Sequence, residues 1–295
     1  MNRSLIRPIT DQEIATYRRD GVVCLREMFD ADWLKWLRDT VDTVPGEYGN
    51  RAFLWPNYDA FRELAFDSPV GEIAATMMGS KTCGLTIDIA FVKDPHTKSL
   101  TPWHHDLPYY QVQGEHVCGM WIGLDKATVH NGAMEWIRGS HMWQRTFEPD
   151  PFDGSGQFKK VHEGRERVLD IDNNRADYDI VMFETEPGDC IVDHGLVLHS
   201  AGDNTTDYPR RAITYALFGD KAHFSAIPPS RGVEDTRDLG LSTGDPFPPD
   251  HPLVPQIWPK RERDDWPAPT EWKSLPGSAE FIAEKDEIHH QAPAG

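Results

Sequence analysis

Cysteine is scarce in this chain of 295 residues: Cys24, Cys83, Cys118 and Cys190 stand far apart. That spacing excludes a thiolate zinc motif and a disulfide framework, and it fits a reducing compartment. Long apolar runs are lacking as well. No stretch approaches the roughly 20 residues of a membrane-spanning helix, and the start, MNRSLIRPITDQE, has no apolar segment of signal-peptide length. A soluble, cytoplasmic protein is expected. Basic residues are outnumbered, 30 Lys and Arg against 48 Asp and Glu, which gives a formal net charge of -18. Overall repulsion argues against a nucleic acid or an anionic membrane as partner. Strict alternation of helix and strand is also missing, so a doubly wound sheet is disfavoured.

The 39% of apolar residues suffices for one large core. Helices come first. TDQE reads as a capping box, with Thr10 at the N-cap and Glu13 at N3, and Gly21 ends that helix. VVCL, 22 to 25, reads as a short strand. In DADWLKWLRDTV, Trp33, Leu34, Leu37 and Val41 share one face at helical spacing. SPVGEIAATMMG predicts a third helix, with Ser68 as cap, Pro69 in the first turn and Gly79 as stop.

From residue 82 the period changes. Leu85, Ile87, Ile89 and Phe91 alternate with smaller or polar residues, the pattern of a half-buried strand. Further short strands follow in VCGMWIGLD, GAMEWI, DIVMFE, DCIVDH and RRAITYALFG. The pair Asn131 and Gly132 between two of them suggests a hairpin. Many short strands divided by turns favour a barrel or double-sheet jelly roll with helices packed outside. The expected organisation is a single domain over 1–295: a jelly-roll core at 82–220, a polar insertion or lid at 144–178, and a Pro-rich extension at 222–295. Trp258, Trp266 and Trp272 should hold that extension against the core, because tryptophan needs burial.

The chemistry gathers around WHHDLPYY, 103 to 110. On or just after a strand, side chains at i and i+2 share a side while neighbours point apart. His104 and Asp106 can then meet at one ion, and His105 faces elsewhere. A third ligand is needed. His194 and His199, both in strand-like surroundings, are the candidates. Two imidazoles and a carboxylate on one face of an ion leave the opposite face open, an arrangement suited to non-haem Fe(II) and unlike a structural zinc site.

TPWHHDLPYY, WIGLDKATVHNGAMEWIRGSH and DHGLVLHSAGDNTTDYPRRAIT together resemble the phytanoyl-CoA dioxygenase family of Fe(II)/2-oxoglutarate oxygenases. The likeness runs from about DGVVCLREMF to RRAITYALFG. It implies a mainly β fold with flanking helices, a double-stranded β-helix of the jelly-roll, cupin-like kind. The family pattern is His-x-Asp, a distant His, and an Arg eleven positions later. It assigns the metal to His104, Asp106 and His199, and the far carboxylate of 2-oxoglutarate to Arg210, whose planar fork suits a carboxylate. By the same likeness His194 is no ligand, and Trp121, Ile89 and Lys93 line the co-substrate pocket. Trp103, Tyr109 and Tyr110 are candidates to face the substrate. Arg211 is read as a solvated ion-pair partner and His141 as structural. Where relatives often carry a Ser two residues after the distal His, this chain has Ala201.

The resemblance implies an enzyme that uses Fe(II), 2-oxoglutarate and O2 to hydroxylate an unactivated C–H bond, with release of succinate and CO2. Halogenating relatives have a small residue in place of the carboxylate, so Asp106 favours hydroxylation, with desaturation or ring formation as the alternatives open to the same oxidant. The alternatives are a metal-binding jelly roll without catalysis and a cupin-type enzyme that does not use 2-oxoglutarate. An acidic chain without a basic patch is a poor host for a triphosphorylated carrier. A small-molecule substrate is expected rather than a CoA thioester.

Overall fold

A capping box starts the chain's first helix. In the computed structural model, which describes residues 1–45, 51–148, 164–226 and 239–267, α1 spans Asp11–Asp20 with Thr10 and Glu13 bonded reciprocally. Gly21 closes it at a φ of 78°, a left-handed value that suits glycine. The edge strand β1, Val22–Leu25, follows, and then α2, Ala31–Val41, capped by Asp30. After β2, Arg51–Ala52, come two helices where one was expected: α3, Asp59–Asp67, and α4, Val70–Met78. Ser68 therefore sits between helices. Its hydroxyl donates to the Leu64 carbonyl and accepts from the Val70 N–H. Phe61, Leu64, Ala65 and Phe66 give α3 its buried face.

Strands dominate the rest. They are β3 Cys83–Lys93, β4 Thr101–His104, β5 Val112–Gly114, β6 Val117–Gly123, β7 Met134–Ile137 and β8 Ile180–Met182. Then come β9 Cys190–His194, β10 His199–Ala201, β11 Arg210–Phe218, β12 Ala222–Phe224 and β13 Gln256–Trp258. Seven strands form a major sheet in the order β1-β9-β6-β11-β3-β13, with β2 also on β3. A minor sheet runs β4-β10-β7-β8, and β12 pairs with β5. All these ladders are antiparallel. The result is the mainly β jelly roll that the alternating pattern predicts. Strands from outside 82–220, β1, β2 and β13, complete the major sheet.

Both faces of the major sheet are covered. Met120, Ile122, Ile213, Tyr215, Val92 and Val192 pack on the helices in the largest apolar cluster. Ile87, Ile89, Trp121, Ile191 and Ala212 point the other way. β3 is consequently buried on both sides rather than half-buried as expected. Its alternation is also interrupted. Ala216 pairs with Ile87 and Leu217 with Leu85, so Thr86 is an extra residue in the ladder. This bulge turns Leu85 toward the helices and Ile87 away from them.

Asn131 and Gly132 make a different turn from the expected hairpin. β6 and β7 lie in different sheets, and the turn carries the chain across. Asn131 Oδ1 accepts the Thr128 N–H at 2.7 Å, its Nδ2 donates to Lys126 O at 2.8 Å, and Gly132 has φ +83°. The expected insertion is pinned at its neck by a bridge between Phe147 and Glu166 and by an Arg145–Glu166 ion pair of 2.6 Å. Residues 149–163 of it lie outside the described residues, as do Trp272 and the end of the extension. Trp258 and Trp266 pack partly buried against the helix-side cluster, and Trp266 stacks on Phe66 at 5.0 Å. Among the described residues no helix is long and apolar enough to cross a membrane.

Asp88, wholly buried on β3, accepts the Leu54 and Trp55 N–H groups at 2.8 and 2.9 Å. Asp88→Ala strands both buried donors, and urea unfolding is expected to show a loss of about 3 kcal/mol, at the scale of hydrogen bonds to a charged group plus the cost of unpaired donors.

Candidate metal centre

Register brings the first two candidate ligands together. His104 ends β4 and His199 begins β10, and the ladder sets them directly opposite. Their ring centroids are 4.1 Å apart. After His104 the chain leaves the strand and enters a short 3-10 turn, with the Leu107 N–H donating to Gly195 O at 2.7 Å. Asp106 lies at that bend and turns back to the same side. Its Oδ1 is 3.4 Å from His104 Nε2 and 3.5 Å from His199 Nε2. One donor atom from each of the three lies within 4.8 Å of the others.

The tautomers are set by the backbone. His104 Nδ1–H donates to Pro102 O at 2.8 Å, and His199 Nδ1–H donates to Val197 O at 3.1 Å. Each Nε2 is left with its lone pair aimed at the cluster. Burial, with His199 beside it, holds His104 below the usual imidazole range. Burial pushes Asp106 upward, but His199, His104 and His105 outweigh that and keep its carboxyl below the usual range. A neutral imidazole and an ionised carboxylate are the ligating forms. Separations of 3.4 and 3.5 Å are short enough for donor atoms that each stand about 2.1 Å from one shared ion. The donor set, two nitrogens and one oxygen without thiolate, therefore fits Fe(II) with open positions.

The cations gather on the facing wall. Arg210 and Lys93 are register partners on β11 and β3, with exposures of 1% and 0%. The Arg210 guanidinium lies 5.6 Å from the Trp121 ring centroid and donates to Gly132 O at 3.0 Å. Lys93 Nζ donates to Ser99 O at 2.6 Å and to Gly202 O. Burial, and then the neighbouring Arg210, push Lys93 down to about 7.

The other residues singled out from sequence scatter. Tyr109 stands edge-on to His104 at 5.7 Å, and with Tyr110 it joins Ile89 in one apolar cluster. Trp103 points from β4 to the opposite face of the minor sheet. There it packs with Ile137, Phe147, Ile171 and Leu198 and donates to Asp172 at 2.9 Å. His105 Nε2 accepts the Phe147 N–H at 2.9 Å. His194 lies against His141, 5.1 Å between centroids, away from the cluster. Arg211 pairs with Asp42 and Asp125 at 2.7 and 2.9 Å.

Sequence reasoning missed Asp193. Its Oδ2 accepts from Trp136 Nε1 at 2.9 Å, and burial pushes its carboxyl up to about 6. The signal was in DCIVDH. Asp193 alternates with Ile191, so a carboxyl stands on a face that is otherwise apolar.

A family model described as Phytanoyl-CoA dioxygenase (PhyH) matches residues 17–212, a span that includes all three candidate ligands and Arg210. The chain belongs to this family. A Caenorhabditis elegans relative, a phytanoyl-CoA dioxygenase domain-containing protein 1 homolog, is 28% identical over 159 residues, 52% of each chain. That match thus spans about half the length of the curated relative. Among solved structures, the α-ketoglutarate-dependent carbocyclase SnoK of nogalamycin biosynthesis superposes with a TM-score of 0.66 at 20% identity, over 87% of this chain and 99% of that one. The epimerase SnoN, solved with Fe3+, α-ketoglutarate and nogalamycin RO, gives 0.64 at 22% identity, over 84% and 98%. These likenesses carry the fold.

Lys93 makes stability depend on pH. Its folded pKa is about 7, against about 10.4 in an unfolded chain. Between those values the unfolded state binds more protons, so this group's contribution rises with pH. In urea unfolding of the metal-free protein, the stability of wild type relative to Lys93→Met is expected to increase from pH 7 to pH 9. A constant difference across that window contradicts the depressed pKa.

Proposed function

We propose that this protein is an Fe(II)- and 2-oxoglutarate-dependent dioxygenase that hydroxylates an unactivated C–H bond of a small molecule. The observation that carries the reading is the convergence of His104, Asp106 and His199 in a barrel whose facing wall holds the buried Arg210. A ferrous ion in that set supplies the oxidative decarboxylation of the keto acid to succinate and CO2, and with it the oxygen atom for the substrate.

The chain's own residues do the rest. His104, Asp106 and His199 would hold the ion with two imidazoles and one carboxylate, a set that would leave coordination positions for the keto acid and O2. The guanidinium of Arg210 takes the far carboxylate of the keto acid through paired N–H donors, a geometry that a lysine cannot reproduce. Trp121 gives that carboxylate a flat, apolar flank, and Lys93 and Ile89 extend the wall beside it. Tyr109 and Tyr110 border the apolar side of the centre, where a substrate carbon would be held away from water. Trp103, behind the minor sheet, supports the strand that ends in His104. Asp106 fills the position where halogenating relatives keep space, so hydroxylation is the expected outcome. The four free thiols and the acidic surface suit a cytoplasmic enzyme acting on a small molecule.

Succinate release with Fe(II), 2-oxoglutarate and a panel of small acids and natural-product intermediates tests the reading. His199→Ala and Asp106→Ala should abolish it. Arg210→Lys should raise the KM for 2-oxoglutarate about tenfold or more, the scale of a lost charge-assisted hydrogen bond. Product formation in wild type without the keto acid would instead make this a cupin-type enzyme. Metal binding without any succinate on the whole panel would leave a binding protein.

A further inference from the structure

A fourth side chain stands behind the three ligands. Asp193 is buried and faces inward from β9, 4.0 Å from His199 Nδ1. The donor to its Oδ2 is Trp136 Nε1, and Trp136 is the register partner of His199 across β7 and β10. The Trp136 and His199 rings lie 6.5 Å apart. One hydrogen bond thus links the minor sheet, at the strand next to His199, with the major sheet. The other carboxyl oxygen sits in a notch. Gly119 is opposite Asp193 in the β6–β9 ladder. A Cβ added at Gly119 would lie 2.2 Å from Asp193 Oδ1 and 3.4 Å from Asp106 Oδ2. The missing side chain makes room for both carboxyl groups.

We propose that Asp193 is a positioning residue for the metal centre. It ties the two sheets together at His199 and, seated in the Gly119 notch, limits how far Asp106 can swing. This rests on the reading that His104, Asp106 and His199 hold the ion. Asp193 itself stands outside that donor cluster. The role is one of shape and hydrogen bonding. Groups that brace ligands in this way typically contribute about 10- to 100-fold to metal affinity.

Co(II) titration of the purified chain, followed by calorimetry and by the visible absorption of the bound ion, tests this without turnover. Wild type binds, and His199→Ala does not; failure here overturns the ligand reading and with it the proposal. Given binding, Asp193→Ala and Gly119→Ala should each weaken Co(II) about 10- to 100-fold and shift its absorption bands. Asp193→Asn keeps an acceptor for the Trp136 N–H and should stay within about threefold of wild type. Gly119→Ala made in the Asp193→Ala background should cost little more, because the atom it would strike is gone. Wild-type affinity and spectrum in folded Asp193→Ala overturn the proposal, as does a loss in Asp193→Asn as deep as in Asp193→Ala. If Asp193→Ala does not fold, a loss of about 10- to 100-fold in Gly119→Ala with Asp193→Asn within about threefold of wild type supports the proposal, and wild-type affinity in folded Gly119→Ala, or a loss of about tenfold or more in Asp193→Asn, overturns it.

Discussion

The register of β4 against β10 is the constraint on which the site depends. His199 faces His104 across that ladder, so one strand pairing sets the separation of two proposed ligands. A slip by one residue would turn the imidazole of residue 199 to the far side of the sheet. The surroundings oppose such a slip. Ser200, pointing outward, bonds Glu135 at 3.0 Å, and Leu198 is buried with Trp103 and Ile137. Shifting β10 would turn Ser200 toward the candidate metal cluster and the imidazole to the outer face of the sheet. The Ile137 N–H donating to Leu198 O at 2.9 Å adds a second fixed point from β7. The outer face of the minor sheet therefore acts at a distance: its packing holds the alternation that aims the inner face.

Charge is arranged around that centre with little to spare. Burying an ionised group is costly unless it is paired. Two of the buried groups respond by moving toward neutrality, with Lys93 pushed down to about 7 and Asp193 up to about 6. Arg210 has no such option, because a guanidinium keeps its proton. It is the permanent charge of the barrel wall, flanked by the Trp121 ring. Asp106 stays ionised among imidazoles. A keto acid with a carboxylate at each end would complement both features: in the proposed reading one end would meet an ion held by Asp106, and the other would meet Arg210. The charge pattern and the proposed co-substrate thus support each other without further groups.

Much of this was legible in the sequence, and the reasons are local. The capping box at Thr10 and the Gly21 stop depend on a few adjacent residues. His104 and Asp106 do meet on one side, but through the 3-10 bend after β4 rather than by strand alternation. The spacing from His199 to Arg210 carried the family resemblance. What escaped depends on contacts between distant segments. Thr86 is not visibly a bulge until β11 supplies its partners, and Ser68 reads as a cap until α3 appears before it. Trp103, three residues from the aspartate and aromatic like Tyr109, looked equally suited to face substrate; the pleat of β4 places it on the other side. Asp193 was passed over because its meaning lies in Trp136 and Gly119, 57 and 74 residues away in sequence.

Asn131 and Gly132 show how a short signal can be right about a turn and wrong about its purpose. A hairpin needs only a reversal between paired strands, whereas this turn must carry the chain from one sheet to the other while passing the cation end of the barrel. An added Cβ at Gly132 would lie 2.6 Å from Gly202 O and 2.8 Å from Lys93 Cδ. Gly132 O also receives the Arg210 guanidinium, and Gly202 O receives Lys93 Nζ. Two glycine segments therefore close on one another to present carbonyls to both cations. A side chain at 132 would part them and loosen Arg210 and Lys93 together. The glycine is required by the crossing between sheets, and the crossing in turn fixes the wall on which the co-substrate is proposed to rest.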